Sequence, residues 1–257
     1  MALAQPCQAQ DTAFGTLDES QTGEAALIGT FYDLKQSPTR ESTGINSDNY
    51  LATVRDFVKS GWNEARLSKY YRAGKAMQST AVWIPMIDAG EAPKAFDVDK
   101  TVRPNCWIVH YKAEIIPPAD GVYRFVGGCD DIIAVAVDGE LVMAGGRPET
   151  LDLWKGLNWA KDPEAGKMFN EVMFFYGNWV EFKKDTPRSI DILIGERPGA
   201  TFGAGLIVQK QGETYQNSAA GNPILPVFQV APGKLPERDS EYTPKHLTDG
   251  PIWKALQ

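Results

Sequence analysis

The chain has 257 residues, 43% hydrophobic and 23% charged, enough apolar material for one domain with a real core. Its formal net charge of −7 argues against nucleic acid as a partner, because holding a phosphate backbone takes a basic face that releases counterions. No window reaches the roughly 18 consecutive apolar residues of a membrane-spanning helix, and Cys7, Cys106 and Cys129 with His110 and His246 show none of the spacings of a Cys/His zinc site.

Residues 1–26 are small and polar with no period and read as a loose leader. Its first ten residues lack the basic and apolar regions of a complete signal peptide and read either as the tail of a secretory signal, which would imply export, or as residues foreign to the native chain. The apolar run 26–34 predicts a first strand. Asn46, Ser47 and Asp48 supply a cap, after which Tyr50, Leu51, Val54, Phe57 and Val58 recur at helical spacing, so one amphipathic helix is expected near 48–60. A second helical stretch is expected over 63–71, then a strand at 81–85.

From Arg103 onward the apolar residues alternate with period two, the signature of antiparallel strands. Residues 106–114 and 122–126 flank Pro117, Pro118, Asp120 and Gly121 and predict a hairpin. Residues 132–137 and 141–143 flank Asp138-Gly139, a dipeptide suited to positive φ, and predict a second. A third is expected from 178–183 and 189–194 around Asp185-Thr186-Pro187, with further strands at 202–209 and 226–230. Residues 145–176 form a long aromatic insertion with Trp154, Trp159, Phe169, Phe174 and Phe175; insertions of this length in compact domains are usually functional. The polar segment 232–257 reads as an extended tail, leaving 27–231 as the β domain.

Three segments carry a family likeness: Asp120-Gly121-Val122-Tyr123-Arg124-Phe125, then Gly128-Cys129-Asp130-Asp131, then Val135-Ala136-Val137-Asp138-Gly139-Glu140-Leu141-Val142. In this order and spacing they resemble the PA14 domain family, whose core reads as a DGxYxF strand, a paired-Asp corner and a DG hairpin. Phe31-Tyr32-Asp33 is similar to the family's opening strand, and Trp179-Val180-Glu181-Phe182 with Ile190-Asp191-Ile192 to a later hairpin. The resemblance implies an all-β, jelly-roll-like antiparallel sandwich or barrel with minor helices and, in many members, carbohydrate binding. In the yeast adhesin branch it implies a Ca²⁺ that is held by the paired aspartates and contacts sugar hydroxyls; Asp130 and Asp131 stand at the matching positions.

Read from chemistry alone, Asp130 and Asp131 are adjacent carboxylates at a strand-end bend on the rim. They form either a ligand pair neutralised by a cation or a turn in which one caps and the other faces water. Trp154 and Trp159, near Lys155, Asn158, Lys161 and Asp162, either stack on a pyranose or pin the insertion to the sandwich. Arg197, in the loop Gly195-Glu196-Arg197-Pro198-Gly199, either forks onto Asp130, Asp131 or a ligand carboxylate, or pairs structurally with Glu196. A lone mid-strand His110 reads as a packed or surface side chain. The expectation is a secreted or extracytoplasmic, non-catalytic module for a glycan or cell-surface polymer, assisted by calcium. The alternatives are an assembly component docking an envelope subunit through the insertion, and a glycoside hydrolase using two of Asp130, Asp131, Glu171 and Glu196.

Overall fold

A computed structural model describes residues 12–16, 26–169, 173–238 and 241–256. Runs rich in β-branched and aromatic residues form the strands, since such side chains fit a pleated, half-buried surface. In chain order they are β1 (Leu27–Asp33), β2 (Tyr71–Arg72), β3 (Met77–Ser79), β4 (Trp83–Asp88), β5 (Trp107–Ile116), β6 (Gly121–Asp130), β7 (Ile132–Val137) and β8 (Glu140–Gly146). Then come β9 (Phe174–Tyr176), β10 (Val180–Phe182), β11 (Arg188–Glu196), β12 (Thr201–Lys210), β13 (Leu225–Pro226), β14 (His246–Leu247) and β15 (Lys254–Leu256).

Two antiparallel sheets result. One runs β2-β1-β5-β11-β7-β8, with β3 on β1 and β15 on β5; the other runs β10-β6-β12-β4, with β9 on β6. Phe31, Trp107, Ile133 and Ile192 of the first meet Phe125, Phe202, Leu206 and Val208 of the second in one core. The expected antiparallel sandwich is therefore present.

Asp138 and Gly139, with φ of 51° and 75°, turn β7 into β8 as a two-residue hairpin, as their chemistry predicts. The other two predicted hairpins are corrected. β5 and β6 lie in different sheets, as do β10 and β11, so residues 117–120 and 183–187 carry the chain across the sandwich. Turn residues report that the chain reverses. They do not report whether the returning strand pairs alongside or packs behind, about 10 Å away.

β7 is buried at all six positions, not at alternate ones. Its outer face lies under helix α1 (Tyr50–Lys59) and the insertion: Tyr50, Val54, Phe57, Leu153, Trp154 and Trp159 join Ile108, Ile132, Ala134 and Leu193 in a second core. A third core on the outer face of the other sheet gathers Trp83, Val126, Phe169, Phe174, Ile207 and Val227. The second predicted helix contracts to a single 3-10 turn at Glu64–Arg66, where Asn63 Oδ1 accepts from the Ala65 amide at 3.0 Å. A short helix α2 (Glu91–Ala95) was not expected.

Most of the predicted leader lies outside the described residues, but 12–16 are not loose. Phe14 is fully buried, stacks on Phe202 at 5.8 Å, and accepts from Tyr111 Oη at 2.9 Å through its carbonyl. Nor is 232–257 simply an extended tail: β15 pairs with β5 and Trp253 is buried beside Tyr123 and Phe182, at 4.8 and 4.9 Å. Single aromatic anchors in polar segments leave no periodic signal, which is why both ends read as irregular. Among the described residues no helix is long and apolar enough to cross a membrane.

Candidate functional site

Asp130 is the last residue of β6 and Asp131 precedes β7, and a cis peptide bond joins them. β11 pairs with β7 so that Gly195 faces Ile132, which carries Glu196, the end of β11, to the same corner. Oxygens of Asp130, Asp131 and Glu196 all lie within 4.8 Å of one another. The corner does not face solvent as the sequence suggested: the three acids are 7%, 1% and 1% exposed. The neighbouring strand end and the loops after β8 and β11 cover it, and sequence alternation cannot see that cover.

Three acids in so little space need donors. Arg147, just past β8, forks onto Asp130, with Nε on Oδ1 and Nη2 on Oδ2 at 2.8 Å. The Arg197 amide donates to Asp131 Oδ2 and the Gly199 amide to Glu196 Oε1, each at 2.7 Å. Asp131 Oδ1 and Glu196 Oε2 are buried with no hydrogen-bond partner among the described residues. Burial, with Asp130's charge adding to it, outweighs the Arg197 amide and pushes Asp131 up to about 6. Burial and then the charge of Asp131 push Glu196 up to about 8. Asp131 thus caps a loop as the turn reading expected, but neither aspartate faces water.

Of the two readings weighed for Arg197, the fork onto Asp130 is made by Arg147 instead, and no ion pair of Arg197 with Glu196 is found among the described residues. Arg197 contributes its backbone amide, while its Nε is buried with no hydrogen-bond partner among the described residues. Trp154 and Trp159 are 6% and 7% exposed and offer no platform to a ligand. They pin the insertion: Trp154 Nε1 donates to the Gly145 carbonyl at 3.1 Å, and Asn178 Nδ2 donates to the Trp159 carbonyl. These two rings are therefore not available to a neighbouring subunit, while Met168 of the same insertion is 49% exposed. Glu171 lies outside the described residues, and the separation of the other three acids is tighter than the roughly 5–9.5 Å that glycosidic cleavage uses.

Beside the acidic corner opens a cavity of about 200 Å³. It is lined by Asp130 and Arg147 at the end of β6 and past β8, by Arg238, Glu241 and Tyr242 of the C-terminal segment, and by Met86, Gly128, Cys129, Met173, Phe174 and Gly203. Asp131 and Glu196 are not among its lining residues. The two glycines permit the close approach: a Cβ on Gly128 would sit 2.3 Å from the Met173 carbonyl oxygen, and one on Gly203 2.5 Å from Met86 Sδ. Residues 232–257, read from sequence as a tail, supply a wall. Arg238 Nη1 donates to the Ile84 and Ala204 carbonyls and Nε to Thr243 Oγ1 at 2.9 Å.

No family model matches the chain, and no curated protein matches it. Solved structures similar to it include PA14 domains. A PA14 sugar-binding domain from an RTX adhesin is 14% identical, at a TM-score of 0.44, over 75% of this chain and 94% of that one. The PA14 domain of the antifreeze protein MpAFP is 11% identical, at 0.44, over 74% and 85%. The A domain of epithelial adhesin 6 from Candida glabrata, in complex with Galb1-3GlcNAc, is 11% identical, at 0.43, over 78% and 91%. These are likenesses of fold, and the chemistry of the cavity is read from its own residues.

The calcium implied by the sequence resemblance can be tested against the donors present. Both oxygens of Asp130 are committed to Arg147, whereas Asp131 Oδ1 and Glu196 Oε2 are buried with no hydrogen-bond donor among the described residues. Asp131 and Glu196, rather than the adjacent aspartates, would supply two of the roughly six to eight oxygens that a calcium ion takes.

Proposed function

We propose that this chain is a non-catalytic, extracytoplasmic binding module that holds one sugar ring of a glycan in the cavity lined by Asp130, Arg147 and the C-terminal segment. The cavity carries this reading. At about 200 Å³ it is smaller than the roughly 300–1,000 Å³ of drug-sized sites and suits a single ring. Its lining is largely apolar, with Phe174 and Met86 facing the ligand space, and also holds carboxylate, guanidinium and phenol groups that can bond hydroxyls. Tyr242 is 43% exposed at the mouth, where an aromatic ring can cover a pyranose face.

In this account each part of the lining has a task. Asp130, its charge shared with Arg147, accepts from ligand hydroxyls and Arg147 donates to them; the apolar residues exclude water from around the ring. A calcium ion, if bound, is held by Asp131 and Glu196 behind Asp130, where it supplies neutralising charge. It fixes the corner without touching the sugar.

Calorimetry with a panel of neutral and acidic monosaccharides tests the reading. Saturable binding is expected, weakened about tenfold by Tyr242→Ala and by Asp130→Asn, each a loss of about 1.4 kcal/mol. If no sugar binds, or both variants bind like wild type, the cavity is not the site.

A further inference from the structure

Arg238 stands out among the cavity residues. Among the described residues its guanidinium donates to neutral acceptors, the Ile84 and Ala204 carbonyls and the Thr243 hydroxyl, and lies 4.9 Å from the Trp83 ring. Among the described residues no carboxylate reaches it within 4.0 Å; the ion pairs formed by the other cavity arginine, Arg147, go to Asp130 and Asp131. Burial pushes Arg238 down to about 10, the response of a cation that its surroundings undercompensate. A desolvated guanidinium lining a largely apolar cavity, with no carboxylate in contact among the described residues, is a costly arrangement, one that an incoming anion relieves.

Arg147 also lines this cavity. Its Nε and Nη2 serve Asp130, and its side chain is 39% exposed, so an edge of this second guanidinium is open to the ligand space. Two guanidinium groups therefore line one space of single-ring size. The acids in the lining are Asp130, which is already forked, and Glu241.

We infer that the sugar this cavity selects is an acidic one, a pyranose bearing a carboxylate, with Arg238 as the specificity-determining residue that receives the carboxylate. The inference rests on the cavity being the sugar site. The Ile84, Ala204 and Thr243 bonds engage Nη1 and Nε and leave Nη2 to receive the carboxylate, and the neutral analogue leaves Arg238 without that counter-charge, so discrimination falls on the acid group. Glu241 opposes the same carboxylate and sets an internal control.

The experiment is calorimetric titration of the full chain with galacturonic acid, its methyl ester and galactose, and with glucuronic acid and glucose, at low and at moderate salt. The acids are expected to bind at least tenfold tighter than the ester and the neutral sugars, and to weaken as salt rises. Arg238→Gln is expected to bring acid and ester to the same affinity, and Glu241→Gln to tighten the acid severalfold. Because Arg238 also ties β4 to β12, its variant is first checked for an intact thermal transition; if it unfolds, the acid-to-ester ratio on wild-type protein decides alone. Equal binding of acid, ester and neutral sugar overturns the assignment of Arg238 and leaves the sugar site standing. Absence of binding by every sugar overturns both.

Discussion

Replacing Glu196 by Gln tests the electrostatics of the acidic corner. The carboxyl belongs to a class that ionises near 4.5 and is pushed up to about 8 by burial and by Asp131. At about 1.4 kcal/mol per pH unit the whole interval corresponds to on the order of 5 kcal/mol for ionising it in place. Arg197 and Gly199 beside it are partly exposed, so water and the Arg147 charge screen the group, which leaves about 2–3 kcal/mol. The folded chain keeps this proton over a range in which the unfolded chain has lost it. The contribution is therefore full below about pH 4.5 and lost as pH rises through about 8. Glutamine keeps an oxygen for the Gly199 amide and offers Asp131 Oδ1 an N–H, so Glu196→Gln should match wild type near pH 5. Near pH 8.5 it should be more stable by about 2 kcal/mol. Urea unfolding at the two pH values measures both numbers. Calcium at pH 8.5 should raise the wild-type midpoint and leave that of the variant unchanged, since the variant lacks one of the two proposed donors. Equal pH dependence in wild type and variant would refute the reasoning.

Other predictions concern the cores. Burial works against a charge on His110, but its hydrogen bond to Asp191 at 2.8 Å and the carboxylate of Glu64 at 3.4 Å outweigh burial and raise its pKa. Its stabilising effect is full below the unfolded histidine value near 6.5 and fades as pH rises through the higher folded value. His110→Asn should flatten that part of the stability profile, and an NMR titration of the imidazole reads the pKa directly. Trp253→Ala removes a fully buried ring packed on Tyr123, Phe182 and Phe228 and should cost about 3–5 kcal/mol, measured by denaturant midpoint. A loss below about 1 kcal/mol would mean the C-terminal segment is not part of the core. Gly195→Ala places a Cβ 2.1 Å from Tyr50 Oη and 3.0 Å from the Trp107 carbonyl oxygen, and should destabilise by about 1–3 kcal/mol on the same assay.

Much of the sandwich is legible in the sequence because its determinants are local. The Asp138-Gly139 turn, the helix at Tyr50–Lys59 and the long strands β5, β6, β11 and β12 follow from side-chain type and spacing. Sheet membership is not local, and β5 and β6 went to opposite layers although the turn between them looks like a hairpin loop. The acidic corner shows the same division. Asp130 and Asp131 announce themselves as neighbours, but Arg147 lies 17 residues beyond the acid it holds, and Glu196 arrives from another strand only through the β7–β11 register. A fork onto the acids was one of two readings open for Arg197, and Arg147 makes it instead, because Gly195-Glu196-Arg197 and Gly146-Arg147-Pro148 look equally plausible as loops. Trp154 and Trp159 misled in the other direction: aromatic rings near polar groups look like a sugar platform until the α1 packing that buries them is seen. Arg238 and Tyr242 could not have been found, since nothing in 232–257 marks it as a cavity wall.

The cavity is tested most directly by mapping amide shifts during a titration with an acidic monosaccharide. Saturable changes centred on Gly128, Gly203 and Tyr242, spreading weakly to Asp131 and Glu196, are predicted. Changes centred instead on the insertion around Trp154 and Trp159, or none at millimolar sugar, would contradict the proposal that this cavity is where the chain meets its ligand.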